Sequence, residues 1–126
     1  MYSVEKLRVG SVMSRLLVSI SAGASRDSAL RLMERSNLDM LPVVERGRLV
    51  GVVRLESLRL STAKLLGASA QRPLYVKKDD EIDYAIKYML ENGLSRVPVV
   101  DSSIGMQCIG ILSSSQLLKA KKSEKK

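Results

Sequence analysis

The sequence predicts an α+β fold made of two copies of one β-α-β-β-α unit, and three observations lead there. The first is repetition. Ala29-Leu-Arg-Leu-Met33, Leu38 and Leu41-Pro-Val-Val44 return 56 positions later as Ala85-Ile-Lys-Tyr-Met89, Leu94 and Val97-Pro-Val-Val100, and Gly51-Val-Val returns 59 positions later as Gly110-Ile-Leu. The second is that each copy changes period in the same order, from short alternation to a helical stripe, then two strand-like runs, then a helix again. The third is size. A chain of 126 residues, 45% of them apolar, fills one domain-sized body, whereas half of it buries too little surface to stand alone. Each copy would hold a short sheet with helices on one side. Its bare face is expected to be covered by sheet-to-sheet packing of the two copies about a pseudo-twofold axis, with a cleft between them.

Taken in order, Val18-Ser-Ile20 alternates and is matched by Leu74-Tyr-Val76. A helix follows from about Asp27 to Ser36, with Ala29, Leu30, Leu32 and Met33 on one side, Ser25 as its cap and Asn37 as its stop. Its counterpart runs from about Glu81 to Asn92, with Ile82, Ala85, Ile86, Met89 and Leu90 on one face. Asp79 or Asp80 is expected to accept the free amides at its start, and Gly93 to end it. Two strands come next in each copy, Met40–Glu45 and Arg48–Arg54 around Arg46-Gly47, then Arg96–Asp101 and Gln107–Ser113 around the longer Ser102–Met106 loop. Closing helices are expected over Leu55–Leu66 and Ser114–Lys122. The copies are thus bounded at 8–66 and 74–120, with 67–73 as linker and 121–126 as a basic tail.

Composition narrows the chemistry. There is no His, Phe or Trp and a single cysteine, Cys108, which is expected to be a buried small hydrophobe. General acid–base and covalent catalysis lack their usual side chains, no metal-ligand cluster is present, and the expectation is a protein that is not an enzyme. Asp79-Asp-Glu81 reads as a helix N-terminus, where negative charge is favourable. Met1–Lys6 lack the apolar core of a secretory signal, and no apolar run approaches the roughly 20 residues that span a bilayer. A soluble, cytoplasmic protein with no membrane partner is expected. Of the formal charge of +8, Lys119–Lys126 supply +4 through five Lys and one Glu. Such a tail is a solubilising terminus, with weak nucleic-acid binding by counterion release as the lesser alternative.

The lead-in Val9-Gly-Ser-Val-Met-Ser14, the Ala-x-x-x-Met helix, the hydrophobic-Pro-Val-Val strand and the Gly-hydrophobic-hydrophobic strand end resemble a pair of CBS domains, a Bateman module, over roughly residues 8–120. The resemblance implies a regulatory module that binds AMP, ADP, ATP or S-adenosylmethionine in one or two interdomain clefts, needs no cofactor, forms a homodimer and signals to a regulated protein. In that family the last strand continues Gly-h-h-Thr/Ser-x-x-Asp, the hydroxyl meeting phosphate and the Asp the ribose hydroxyls. Here the first copy reads Gly51-Val-Val-Arg54-Leu-Glu-Ser57 and the second Gly110-Ile-Leu-Ser113-Ser-Ser-Gln116. Neither keeps the carboxylate.

By the resemblance, the stronger site joins Arg96, Pro98 two residues on, Ser113 and Gln116 with a wall of Ser19, Ile20, Ser21, Leu38 and Asp39. Gln116 would bond a diol through its amide oxygen. The weaker site holds Arg54, Ser57, Leu94, Ser95 and the stretch from Tyr75 to Lys77, with Met40 where the stronger site has Arg96. The residues also carry a plainer reading. Pro42 and Pro98 suit buried strands, and Ser113 is a good N-cap without any ligand. The alternative function is a structural or protein-interaction module whose ligand sites have degenerated, with its basic tail on nucleic acid.

Overall fold

The computed structural model of the chain describes residues 7–60 and 72–124. They fall into two compact units, a first drawn from Val18–Leu74 and a second drawn from Met1–Leu17 together with Tyr75–Lys126. In chain order the elements are α1 (Val9–Val12), α2 (Arg26–Ser36), β1 (Met40–Glu45), β2 (Arg48–Arg54), α3 (Leu55–Leu60), β3 (Val76–Lys77), α4 (Ile82–Asn92), β4 (Arg96–Val100), β5 (Cys108–Ser113) and α5 (Ser114–Glu124). The α+β class and the duplication hold. The expected continuation of α3 over 61–66, most of the linker and the last two tail residues lie outside the described residues.

In the first unit, Ser25 caps α2 by accepting from the Ser28 amide at 3.1 Å, and Asn37 ends the helix in the left-handed conformation at φ 53°, as its short polar side chain allows. β1 and β2 pair antiparallel, with Met40 opposite Arg54 and Glu45 opposite Arg48. Their turn places Arg46 at φ 51° and Gly47 at φ 81°. Two positive φ values in succession match the right-handed twist of a tight hairpin. The expected strand at Val18–Ile20 is a single bridge, Ile20 lying parallel to Val43. The core is Ala29, Met33, Leu41, Val43, Val53 and Leu58.

The second unit repeats this frame. α4 ends at Gly93 in the same left-handed conformation, φ 62°, and its sheet runs β3-β4-β5, the first pair parallel and the second antiparallel. A register shift between Val99 and Val100 repeats the one between Val43 and Val44. Every residue of that cluster has a counterpart here, as Ala85, Met89, Val97, Val99, Leu112 and Leu117, and Val9, Val76, Ile82 and Ala120 enlarge the second cluster.

Three local expectations are corrected. Neither Asp79 nor Asp80 caps α4. Glu81 occupies the cap position, but its side chain makes no capping hydrogen bond. Asp80 is spent closing the preceding turn, accepting from the Lys77 amide at 2.8 Å while its own amide donates to the Lys77 carbonyl at 3.0 Å. β4 stops at Val100 because the Asp101 carboxylate accepts from the Ser102 and Gln107 amides at 2.7 and 2.9 Å, folding the chain into the loop. Cys108 is half-buried rather than buried, and burial still pushes its thiol up to about 11.

Residues 7–14, which precede the first repeat in sequence, are bonded into the second unit. The Val9 and Gly10 amides donate to the Asp80 and Lys78 carbonyls at 2.9 and 2.8 Å, and Ser14 and Ile111 exchange backbone bonds at 2.8 and 2.9 Å. An edge strand such as β5 presents a row of open N–H and C=O groups, and Ser14 takes part of it. The approach is close. A Cβ on Gly110 would fall on the Ser14 carbonyl oxygen and lie 3.0 Å from the Met13 sulfur, so only glycine fits.

Candidate functional site

Each of the two expected residue sets is divided between the units, and each unit's share is described by itself. In the second unit the residues meet where β5 passes into α5. Arg96 begins β4 directly opposite Ser113 at the end of β5, so both side chains stand on one face of the sheet. The Ser114 amide donates to the Ser95 carbonyl at 2.9 Å, which fixes the turn from strand to helix.

Ser113 and Gln116 form a reciprocal cap. The Ser113 amide donates to Gln116 Oε1 at 2.8 Å, and the Gln116 amide donates to Ser113 Oγ at 3.3 Å. This is the capping-box arrangement of a Ser followed three residues later by Gln, which satisfies two orphan amides of a helix start at once. Ser113 Oγ also shares a hydrogen bond with Ser115 Oγ at 3.0 Å. The Ser-x-x-Gln spacing is legible in the sequence. Pro98 is buried opposite Ile111 and brings an apolar ring and backbone to the sheet.

The first unit builds the same backbone junction from other side chains. Leu55 donates to the Asp39 carbonyl at 2.8 Å, as Ser114 does to Ser95. Met40, buried, stands opposite Arg54, so the register pair that is Arg–Ser in one unit is Met–Arg in the other. Arg54 has no acceptor with which to cap α3. Leu38 packs against the core, Asp39 is exposed and Ser19, Arg54 and Ser57 are half-buried. Ser21 is held by Glu45, its hydroxyl donating at 2.8 Å beside the Ala22 amide at 2.7 Å. The Ser21 hydroxyl, followed by the Ala22 amide, keeps the Glu45 carboxyl below its ordinary range.

The remaining expected residues belong to the second unit. The Tyr75 amide donates to the Tyr88 hydroxyl at 3.2 Å. Lys77 sits in β3 opposite Val100, at the far end of β4 from Arg96. Leu94 helps line an apolar groove of about 310 Å³ between α4 and α5, with Ile86, Leu90 and Leu117 among its walls. Sequence reading missed a polar groove of about 520 Å³ bounded by Arg8, Arg15, Lys78, Asp79 and Asp101. It exists because residues 7–14 fold back onto this unit, and no local pattern announces that. Among the described residues no group of His, Cys, Asp and Glu side chains could hold a metal ion, and no helix is long and apolar enough to cross a membrane.

Residues 9–61 and 69–123 each match the CBS domain. Among curated proteins, a homoserine O-acetyltransferase of Methanococcoides burtonii is 34% identical over 114 residues, covering 86% of this chain and 23% of that protein. The chain spans less than half the length of the first curated relatives it matches. Among solved structures, CBSX2 from Arabidopsis thaliana, determined in complex with AMP, is 28% identical with a TM-score of 0.82 and covers 95% of this chain and 99% of its own. The CBS domain pair of MJ0100, in complex with 5′-methylthioadenosine and S-adenosyl-L-methionine, shares the fold at 21% identity, a TM-score of 0.80 and the same two coverages. This chain, with two matched copies of one domain and a fold shared with CBS-pair structures over nearly its whole length, belongs to the CBS domain family.

Proposed function

We propose that this chain is a regulatory module that binds an adenosine-containing ligand, with AMP, ADP, ATP and S-adenosylmethionine as candidates, and passes its ligand state to a partner protein. The observation that carries the reading is the β5–α5 junction. It sets a guanidinium-bearing residue, Arg96, across the register from a hydroxyl, Ser113, at the start of an 11-residue helix. The AMP complex of CBSX2, at 28% identity and near-complete coverage, supports the ligand class. The absence of His from the sequence fits regulation better than catalysis. A cytoplasmic homodimer completes the proposal. A ligand signals through such a module only by binding two of its states with different affinity.

Titration calorimetry with the four ligands tests it. Arg96→Ala is expected to weaken binding about tenfold, the scale of one charge-assisted bond, and Arg54→Ala to do less. Silence toward all four ligands at millimolar concentration would sink the reading. One observation favours the rival, an interaction module with degenerate sites. Ser113 and Gln116 satisfy each other without a ligand. Against its nucleic-acid variant, Lys121 is already paired with Asp83 at 2.9 Å.

A further inference from the structure

The polar groove of about 520 Å³ in the second unit is a seam. One wall carries Arg8, Ser11 and Arg15, and the other carries Lys78 and Asp79 from the turn before α4, with Asp101 just past β4. Backbone bonds cross the seam, the Val9, Gly10 and Ser14 amides donating to the Asp80, Lys78 and Ile111 carbonyls. The fold does not consume its cations. Among the described residues Arg15 and Lys78 are exposed, and their side chains have no hydrogen bond or ion pair. Arg8 makes only long contacts, at 3.4 Å to the Asp79 carbonyl and 3.5 Å to Glu81. The Asp101 carboxylate is turned into its own loop. Its Oδ1 takes the Ser102 and Gln107 amides, and both oxygens lie within 3.3 Å of where a Cβ on Gly105 would stand. Asp79 is left to oppose three cations.

Like charges on the walls of one groove repel, and an anion that bridges them turns the repulsion into charge-assisted hydrogen bonds. Arginine offers phosphate oxygens a fork of donors and lysine a compact charge. The groove has the volume of a small-molecule site. We propose that this seam is a second binding site, for a small ligand bearing a phosphate or polyphosphate group, and that its occupancy fastens residues 8–15 to the rest of the unit. The site is separate from the β5–α5 junction. The Lys78 amide bonds to the Val100 end of β4, about 13 Å along that strand from Arg96. Binding here does not depend on an adenosine ligand at the junction.

The test uses the whole chain and pyrophosphate as the probe at constant ionic strength, read by amide hydrogen exchange and by calorimetry. Millimolar pyrophosphate is expected to slow exchange several-fold at the Val9, Gly10 and Ser14 amides, which donate across the seam. Arg15→Gln and Lys78→Gln should each weaken binding about tenfold and remove that protection. Both are exposed side chains without a partner to lose, so both variants should fold as the natural protein does. Arg48→Gln removes one exposed charge from the hairpin of the first unit and should change neither readout. Exchange at the three amides that pyrophosphate leaves unaltered would overturn the proposal. So would a loss in Arg48→Gln equal to the other two, since net charge alone would then explain the binding. Protection by a Glu-rich peptide and not by pyrophosphate would also overturn it, making the seam a docking groove for an acidic protein segment.

Discussion

At the end of β2 the first unit continues Arg54-Leu-Glu-Ser57, and at the end of β5 the second continues Ser113-Ser-Ser-Gln116. The backbone turn is the same, closed by Leu55 onto Asp39 in one and by Ser114 onto Ser95 in the other. The side chains are not. One junction has a long cation where the other has a self-satisfied Ser–Gln cap. A second difference lies at the start of the paired helices. Arg26 occupies the position of buried Ile82 and donates to the Leu58 and Arg59 carbonyls of α3 at 2.8 and 3.3 Å. An arginine there donates to carbonyls of the neighbouring helix, whereas an isoleucine fills core. Duplication has preserved the apolar frame and left the polar positions free to diverge.

The firmest way to test that shared frame is to cut it at matched points. Leu58 and Leu117 are counterparts, exposed by 0% and 4%. Leu58→Ala and Leu117→Ala should each cost about 2–5 kcal/mol in denaturant unfolding. Costs differing by much more than that spread would show that the two cores do not carry equal weight. A feature described only in the second unit should give the next largest effect. Gly110→Ala pushes a methyl group onto Ser14 and should cost about 1–3 kcal/mol, with faster hydrogen exchange at the Ser14 and Ile111 amides. Unchanged exchange there would separate the lead-in from this unit's stability. The smallest effect belongs to the first unit. Glu45 has a lowered pKa when folded, so its contribution is present above its unfolded value of 4.5 and is lost as pH falls through the folded one. Glu45→Gln should flatten acid unfolding on that side, and an unaltered pH profile would count against the Ser21 and Ala22 contacts.

Much of the fold could be read from the sequence because its signals are local. The offset of 56 residues places Arg26–Ser36 over Ile82–Asn92, and Asn37 and Gly93 mark both helix ends by their tolerance of positive φ. Asp80 misled because an acidic residue before a helix can serve either the helix or the turn behind it, and only the path of Lys77 decides. The pairing of Ser14 with Ile111 left no trace because it joins distant residues without periodicity. At the candidate site the residue types could be read in advance, but the direction of the Gln116 amide could not. That direction is set by the hydrogen bond from the Ser113 amide to Gln116 Oε1.

The attachment of residues 7–14 also bears on how the chain reaches its structure. Arg8 meets the Asp79 carbonyl across a separation of 71 residues, while the described elements of the first unit lie on one continuous stretch. Contacts between distant residues close slowly, because a long loop must be ordered before they form. During synthesis the first unit has its hairpin and helix available early. The second must hold its opening segment in reserve until β5 has emerged, so its final assembly waits for that strand.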